Sequence, residues 1–170
     1  SDKPFDSIEE VAIRSTGFVR IPRGERDAWI LMLNVASDRE FAPGVPIPGA
    51  AYEWNPDDRL QALMGLPFTS ARYRPHEKVT LSAAYRLPRT VHAKAAWEAT
   101  DGVTLFSGFE WSNRRWFRHD RSDDDDRLHY YEKHVELGAE VQVGEAITLT
   151  ATGGYAFDRM FFEGEDYDDR

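Results

Sequence analysis

Residues 129–143 read HYYEKHVELGAEVQV and change character at every second step. Val135, Leu137, Ala139, Val141 and Val143 share one parity. His134, Glu136, Gly138, Glu140 and Gln142 share the other. Successive side chains of a strand point to opposite faces, so this stretch is a long strand with one apolar and one charged face.

The same alternation recurs outward from it. Strands are predicted at 8–21, 27–37, 47–54, 59–66, 68–74, 78–87, 91–100, 103–118, 127–143 and 146–162. Val79, Leu81, Ala83 and Tyr85 oppose Thr80, Ser82, Ala84 and Arg86. In the last strand Tyr155 and Phe157 oppose Ala156 and Asp158. The strand at 27–37 is the least regular, because Ile30 and Met32 interrupt its polar face. No segment carries a 3.6-residue period. The expected fold is all-β: an antiparallel up-and-down meander closing into a transmembrane β-barrel.

Connections alternate between two kinds. Tight turns are expected at Arg23–Arg26, Asn55–Asp58, Pro75–Lys78, Thr100–Gly102 and Gly144–Ala146. The other ends include the longer, charged segments 38–46, 119–126 and 163–170. Short turns at one end and longer loops at the other match the asymmetry of outer-membrane barrels. Gly102 sits where a three-residue hairpin loop needs a left-handed residue.

Composition narrows the function classes. At 170 residues the chain is one domain. Its net charge of −9 argues against nucleic acid as a partner. Without cysteine it has no disulfide or thiolate chemistry. The longest apolar run, Ala28–Leu33, is far short of the roughly 20 residues of a membrane helix. A β-barrel escapes that test, because its apolar residues are diluted one in two. The chain begins at Ser without a recognisable signal peptide, as expected of a processed or trimmed chain.

Aromatic placement assigns the faces. Trp54, Tyr73 and Trp97 lie on the apolar parity close to tight turns. Tyr85, Phe109, Trp111, Tyr155 and Phe157 lie on the same parity farther along their strands. Two aromatic girdles bounding an apolar band are expected where rings sit at membrane interfaces. Nine residues at about 3.3 Å each, tilted by about 45°, rise roughly 21 Å, near the height of a barrel's lipid band. Lys133 falls on the outer parity beyond that band. The inner face is expected to carry Arg14, Arg20, Arg72, Arg86, Lys94, Glu98, Glu110, Arg114, Glu132, His134, Glu136 and Glu140. Their mixed signs predict ion pairs across strands, Arg114 with Glu132 if the 119–126 loop is symmetric. The same charges can form a selectivity lining or a mutually neutralised lumen wall.

Two stretches carry a resemblance. PIPGAAYEWNPDDRLQALMGLPFTSARYRPHEKVTL, residues 46–81, and GGYAFDRMFFEGEDY, residues 153–167, resemble an uncharacterised family of Gram-negative outer-membrane β-barrel proteins. The motifs are an aromatic-Asn-Pro turn, a Gly-Leu-Pro-Phe break and a Gly-Tyr-Ala-Phe-Asp-Arg strand. The resemblance covers roughly residues 45–167 and implies a transmembrane barrel in the outer membrane. It implies no activity and no catalytic residue. Barrels of this kind usually end in a strand with a terminal aromatic, whereas this chain ends Asp168-Asp169-Arg170. With ten strands and tight turns in the periplasm, both ends fall on the extracellular side. The expectation is a fragment lacking one strand at each end, from a parent of about twelve strands.

Other constellations are weaker. Asp123, Asp124, Asp125 and Asp126 form an acidic run, and Glu163, Glu165, Asp166, Asp168 and Asp169 a second cluster at the same end. Neither has EF-hand spacing, so the run is a solvated rim or a weak cation site bridging lipopolysaccharide phosphates. His134, Ser112 and Glu110 or Glu136 form a loose Ser–His–acid set, compatible with a lipid hydrolase or acyltransferase. Trp116, Phe117, Tyr130 and Tyr131 fall in the part of the 103–143 hairpin expected to project above the membrane, where they bind a glycan or partner or pack against loops. No cofactor is expected. The expected partner is the lipid bilayer, with lipopolysaccharide. The leading expectation is a narrow pore or passive scaffold of the outer membrane, not an enzyme. An acidic rim favours cations. The alternative is a soluble lipocalin-like barrel holding an apolar ligand inside.

Overall fold

A computed structural model of the chain describes residues 13–37, 39, 42–87, 90–117, 127–144 and 146–164. Ten strands follow in order: β1 (Arg14–Arg23), β2 (Asp27–Ala36), β3 (Ile47–Trp54), β4 (Leu60–Leu66), β5 (Phe68–His76), β6 (Val79–Arg86), β7 (Thr90–Thr100), β8 (Val103–Phe117), β9 (Arg127–Val143) and β10 (Ile147–Gly164). Each pairs antiparallel with its chain neighbours, giving one sheet in the order β1 to β10. The all-β up-and-down meander follows the period-2 pattern strand by strand. Among the described residues no helix is long and apolar enough to cross a membrane, which says nothing of strands.

The sheet is not closed. Among the described residues β1 and β10 each pair on one side only, and no ladder joins them. Alternation specifies the two faces of every strand. Closure depends on whether the edge strands meet, which no local pattern encodes.

The sheet nevertheless curls. Arg20 of β1 and Glu136 of β9 border one concave space, together with side chains from every strand between them. Two ion pairs skip a strand: Arg20 to Glu53 reaches from β1 to β3, and Lys94 to Glu140 from β7 to β9. Such pairs form where curvature makes the tips of alternate strands converge.

The registers place the apolar parity on the opposite, outer face. One row across β6–β10 is Leu81–Ala95–Ser107–Leu137–Gly153, and the next is Ala83–Ala93–Phe109–Val135–Tyr155. Large side chains here remain open, with Leu137 69% and Tyr155 71% exposed. Among the described residues there is no thick core: the buried apolar ones are Ala28, Met32, Ala36, Ala51, Phe106 and Tyr131. The irregularity of β2 has a packing cause. Met32 points inward over Gly49 of β3, while Trp29, Leu31 and Leu33 point outward and are exposed.

Two local expectations are corrected. β7 runs on to Thr100, and the turn is Asp101–Gly102 with a register shift between Glu98 and Thr100. Gly102 has φ 83°, the left-handed value anticipated for it. In β10 the register shifts between Phe157 and Met160, so Asp158 and Arg159 together oppose Glu132. This bulge resets the face of every later residue, and Asp158 leaves the inner parity expected of it.

Candidate functional site: the concave face

The concave space has a volume of about 790 Å³. Its border includes Arg72, Lys94, Glu110, His134 and Glu136 from the expected inner set. By register Arg86, Glu98, Arg114, Glu132 and Glu140 share their face without bordering the cavity. His92 and Glu53 also border it, and both carry the alternating signal that marked the others.

Charge on this face is sorted by strand. Arg72, Arg86 and Lys94 stand on β5–β7, whereas Glu110, Glu132, Glu136 and Glu140 stand on β8 and β9. Glu98 and Arg114 are the exceptions. Lys94 Nζ lies 3.1 Å from Glu140 Oε1 and 4.0 Å above the Phe106 ring. That ring lies over Gly138, where any Cβ would collide with it. The ammonium is held both by a carboxylate and by the ring's negative face.

Glu110 accepts from Arg114 at 3.4 Å and faces His92 Nδ1 at 3.3 Å. The expected partnership of Arg114 with Glu132 does not form. In the register of β8 on β9 Arg114 stands opposite Tyr130, and Ser112 opposite Glu132. Glu132 accepts instead from Arg159 Nε at 2.6 Å and from the Tyr130 hydroxyl. The Tyr130 hydroxyl and the Arg159 guanidinium hold the Glu132 carboxyl below its ordinary range, and the Glu132 carboxylate raises the Tyr130 hydroxyl.

The Ser–His–acid set is not assembled. Ser112 is buried opposite Glu132, and His134 Nδ1 faces Glu132 at 3.7 Å. No hydrogen bond joins Ser112 to His134 among the described residues. Nor do three or more potential metal ligands converge among them. Asp123–Asp126 and Glu165–Asp169 lie outside the described residues, as do the side chains of Glu163, Trp116 and Phe117.

The expected girdle aromatics all fall on the outer face. Tyr85, Val91, Trp111, Lys133 and Phe157 form one unbroken cross-strand row on β6–β10. Phe109 and Tyr155 lie in the adjacent row. Near the tight turns Trp54 stands opposite Ala62, Tyr73 opposite Leu60 and Leu81, and Trp97 opposite Val79 and Leu105. Sequence reasoning missed Trp29 and Tyr52, which meet edge to face on this side with centroids 4.9 Å apart. The signal was their shared parity with Leu31 and Trp54, obscured by Ile30 and Met32.

The tight-turn end is tied by polar contacts. Arg26 Nη1 meets Asp58 Oδ1 at 2.9 Å, joining the first two tight turns. Asp57 accepts backbone hydrogen bonds from Arg59 and Leu60, which lower its carboxyl below the usual value.

Compared with protein-family models, with curated proteins and with solved structures, the chain matches none.

Proposed function

We propose that this chain forms the wall of a narrow outer-membrane pore, its concave face lining the lumen. The observation that carries the reading is the inverted distribution of polarity. Trp29, Leu31, Leu33, Leu81, Trp97, Leu105, Leu137, Leu149 and Tyr155 are exposed on one face, while the concave face carries the pairs Arg20–Glu53, Lys94–Glu140 and Arg159–Glu132. In water an apolar surface of this extent invites association. In a bilayer it meets its natural solvent, and the aromatic row at Tyr85, Trp111 and Phe157 takes the interface. The soluble alternative needs the apolar parity around the ligand; the concave space is bordered by Arg20, Glu53, Arg72, Lys94, Glu110 and Glu136, with Ala62, Ala71, Ala83, Ala93 and Phe109 of the apolar parity also along it.

The resemblance to outer-membrane barrels of uncharacterised function points the same way. Unpaired backbone groups cost several kcal/mol each in hydrocarbon. The reading therefore requires the outer edges of β1 and β10 to be paired in the membrane, so that the sheet closes into a barrel. The acidic wall of β8 and β9 favours cations.

Heat-modifiable migration in detergent gels and conductance in planar bilayers test this. A band that shifts on boiling, with discrete cation-preferring current steps, is the expected result. A monomer that stays in solution without detergent would remove the membrane reading. A detergent-requiring barrel with no conductance would leave a passive scaffold.

A further inference from the structure

The cavity wall contains two charges of opposite sign without an ion-pair partner among the described residues, Arg72 on β5 and Glu136 on β9. The neighbouring charges are already compensated. Arg20 is bound to Glu53 at 2.8 Å, Lys94 to Glu140 at 3.1 Å, and Glu110 lies against His92 and Arg114. His134 lies against Glu132.

Arg72 and Glu136 belong to one cross-strand row, Arg72–Ser82–Lys94–Gly108–Glu136. Only Lys94 could obstruct this row, and its ammonium is drawn towards Glu140, which lies nearer the tight-turn end along β9, four residues beyond Glu136. The floor left between the two charges is Ser82 and Gly108. Gly108 also sets where the carboxylate lies. A Cβ there would stand 2.7 Å from Glu136 Oε1, so the Glu136 side chain lies across β8, on the side of Arg72.

We propose that this row is a binding site for a small zwitterion, most simply a short peptide, with its carboxylate on Arg72 and its ammonium on Glu136. The assignment rests on the lumen reading above. Charge and size support it. From β5 to β8 is three strand spacings, about 14 Å along the wall, which curvature and the reach of the arginine shorten. The ends of an extended di- or tripeptide stand roughly 7–11 Å apart. Arginine offers a fork of donors to the carboxylate, and the glutamate accepts from the ammonium. A cavity of about 790 Å³ admits such a peptide with water around it. A singly charged solute satisfies one end and leaves the other charge facing it unmatched.

Trialanine is the probe, with N-acetyl-trialanine amide as the uncharged control. Binding is measured by calorimetry on detergent-solubilised protein, and uptake by swelling of proteoliposomes. Trialanine is expected to bind at least tenfold more tightly than the control. Arg72→Gln and Glu136→Gln should each weaken it at least tenfold, with gel migration confirming that both variants fold. The double exchange Arg72→Glu with Glu136→Arg should restore binding, because a zwitterion can enter reversed. Equal binding of trialanine and the control, or variants that leave trialanine binding unchanged, would overturn the site. Binding without swelling would instead remove the pore and keep the zwitterion site.

Discussion

Lys133 donates a hydrogen bond to Asp158 Oδ2 at 2.8 Å, across the register shift between β9 and β10. The next residue, Arg159, bonds Glu132 at 2.6 Å. Consecutive bulge residues thus engage consecutive residues of β9. Lys133 is on the outer parity, with its ammonium 5.4 Å from the Trp111 ring, and Glu132 is on the inner parity. Asp158 has φ 50°, a left-handed conformation that short polar side chains tolerate better than branched ones. The bulge therefore satisfies a cation on one face and a carboxylate on the other at the same height.

Replacing Asp158 should separate the backbone from the side-chain contribution. Asp158→Val loses the bond to Lys133 and forces a β-branched residue to positive φ, at a cost of about 1–3 kcal/mol. Asp158→Asn keeps a residue suited to that conformation and should cost less than half as much. Urea unfolding in lipid vesicles, followed by tryptophan fluorescence, gives the comparison.

Glu132 should make stability depend on pH at the acid end. Its carboxyl is held below the ordinary range first by the Tyr130 hydroxyl and then by Arg159. The folded chain therefore binds that proton less readily than the unfolded chain, whose glutamate titrates near about 4.3. This stabilisation is complete above the unfolded value and is lost as pH falls through the folded one. Glu132→Gln should flatten the acid limb of an unfolding midpoint measured from pH 6 to pH 3. An unchanged acid limb would show that Glu132 does not contribute to it.

Gly65 and Gly17 should respond differently to alanine. A Cβ at Gly65 would collide with the Ala51 Cα and the Ala50 carbonyl of β3, which are backbone atoms that cannot swing away. At Gly17 nothing lies within 4 Å. Gly65→Ala should prevent normal pairing of β3 with β4 and abolish the folded gel band. Gly17→Ala should change stability by less than about 1 kcal/mol.

Leu137 tests the solvent of the outer face. It is 69% exposed, between the row of Trp111 and the tight-turn end of β9. In water Leu137→Arg would be neutral. Inside a bilayer near its midplane, arginine costs about 2–4 kcal/mol. Folding yield into vesicles should fall for Leu137→Arg and not for Leu137→Val. An arginine variant that folds as well as the parent would argue against a lipid-facing position.

Phe106 narrows the concave face where Lys94 and Glu140 meet. Phe106→Ala removes the ring over Gly138 and the aromatic seat of the Lys94 ammonium. Larger single-channel conductance is expected, with weaker stability in urea. A variant whose conductance matches the parent would show that this ring does not limit the path.

Strand identity and facing were legible because alternation is a local property. Val135, Leu137, Ala139, Val141 and Val143 could be assigned to one face from spacing alone, and the outward Tyr85, Trp111 and Phe157 followed from parity. β2 was ambiguous for a physical reason: the wall opposite it is lined by Gly49 and Ala51, small enough to admit an apolar Met32 from inside.

Partner choice on the concave face was not legible. Arg114 missed Glu132 because the register of β8 on β9 sets it opposite Tyr130, and Glu132 was claimed by Arg159 through a bulge with no glycine or proline to announce it.

The sequence by itself determined ten strands, their order and the polarity of each face, since side-chain direction repeats every second residue whatever the surroundings. Only the tertiary structure decided which opposite charges meet and that, among the described residues, no ladder joins β1 to β10. Those depend on register, curvature and bulges, which are set by contacts between strands rather than within them.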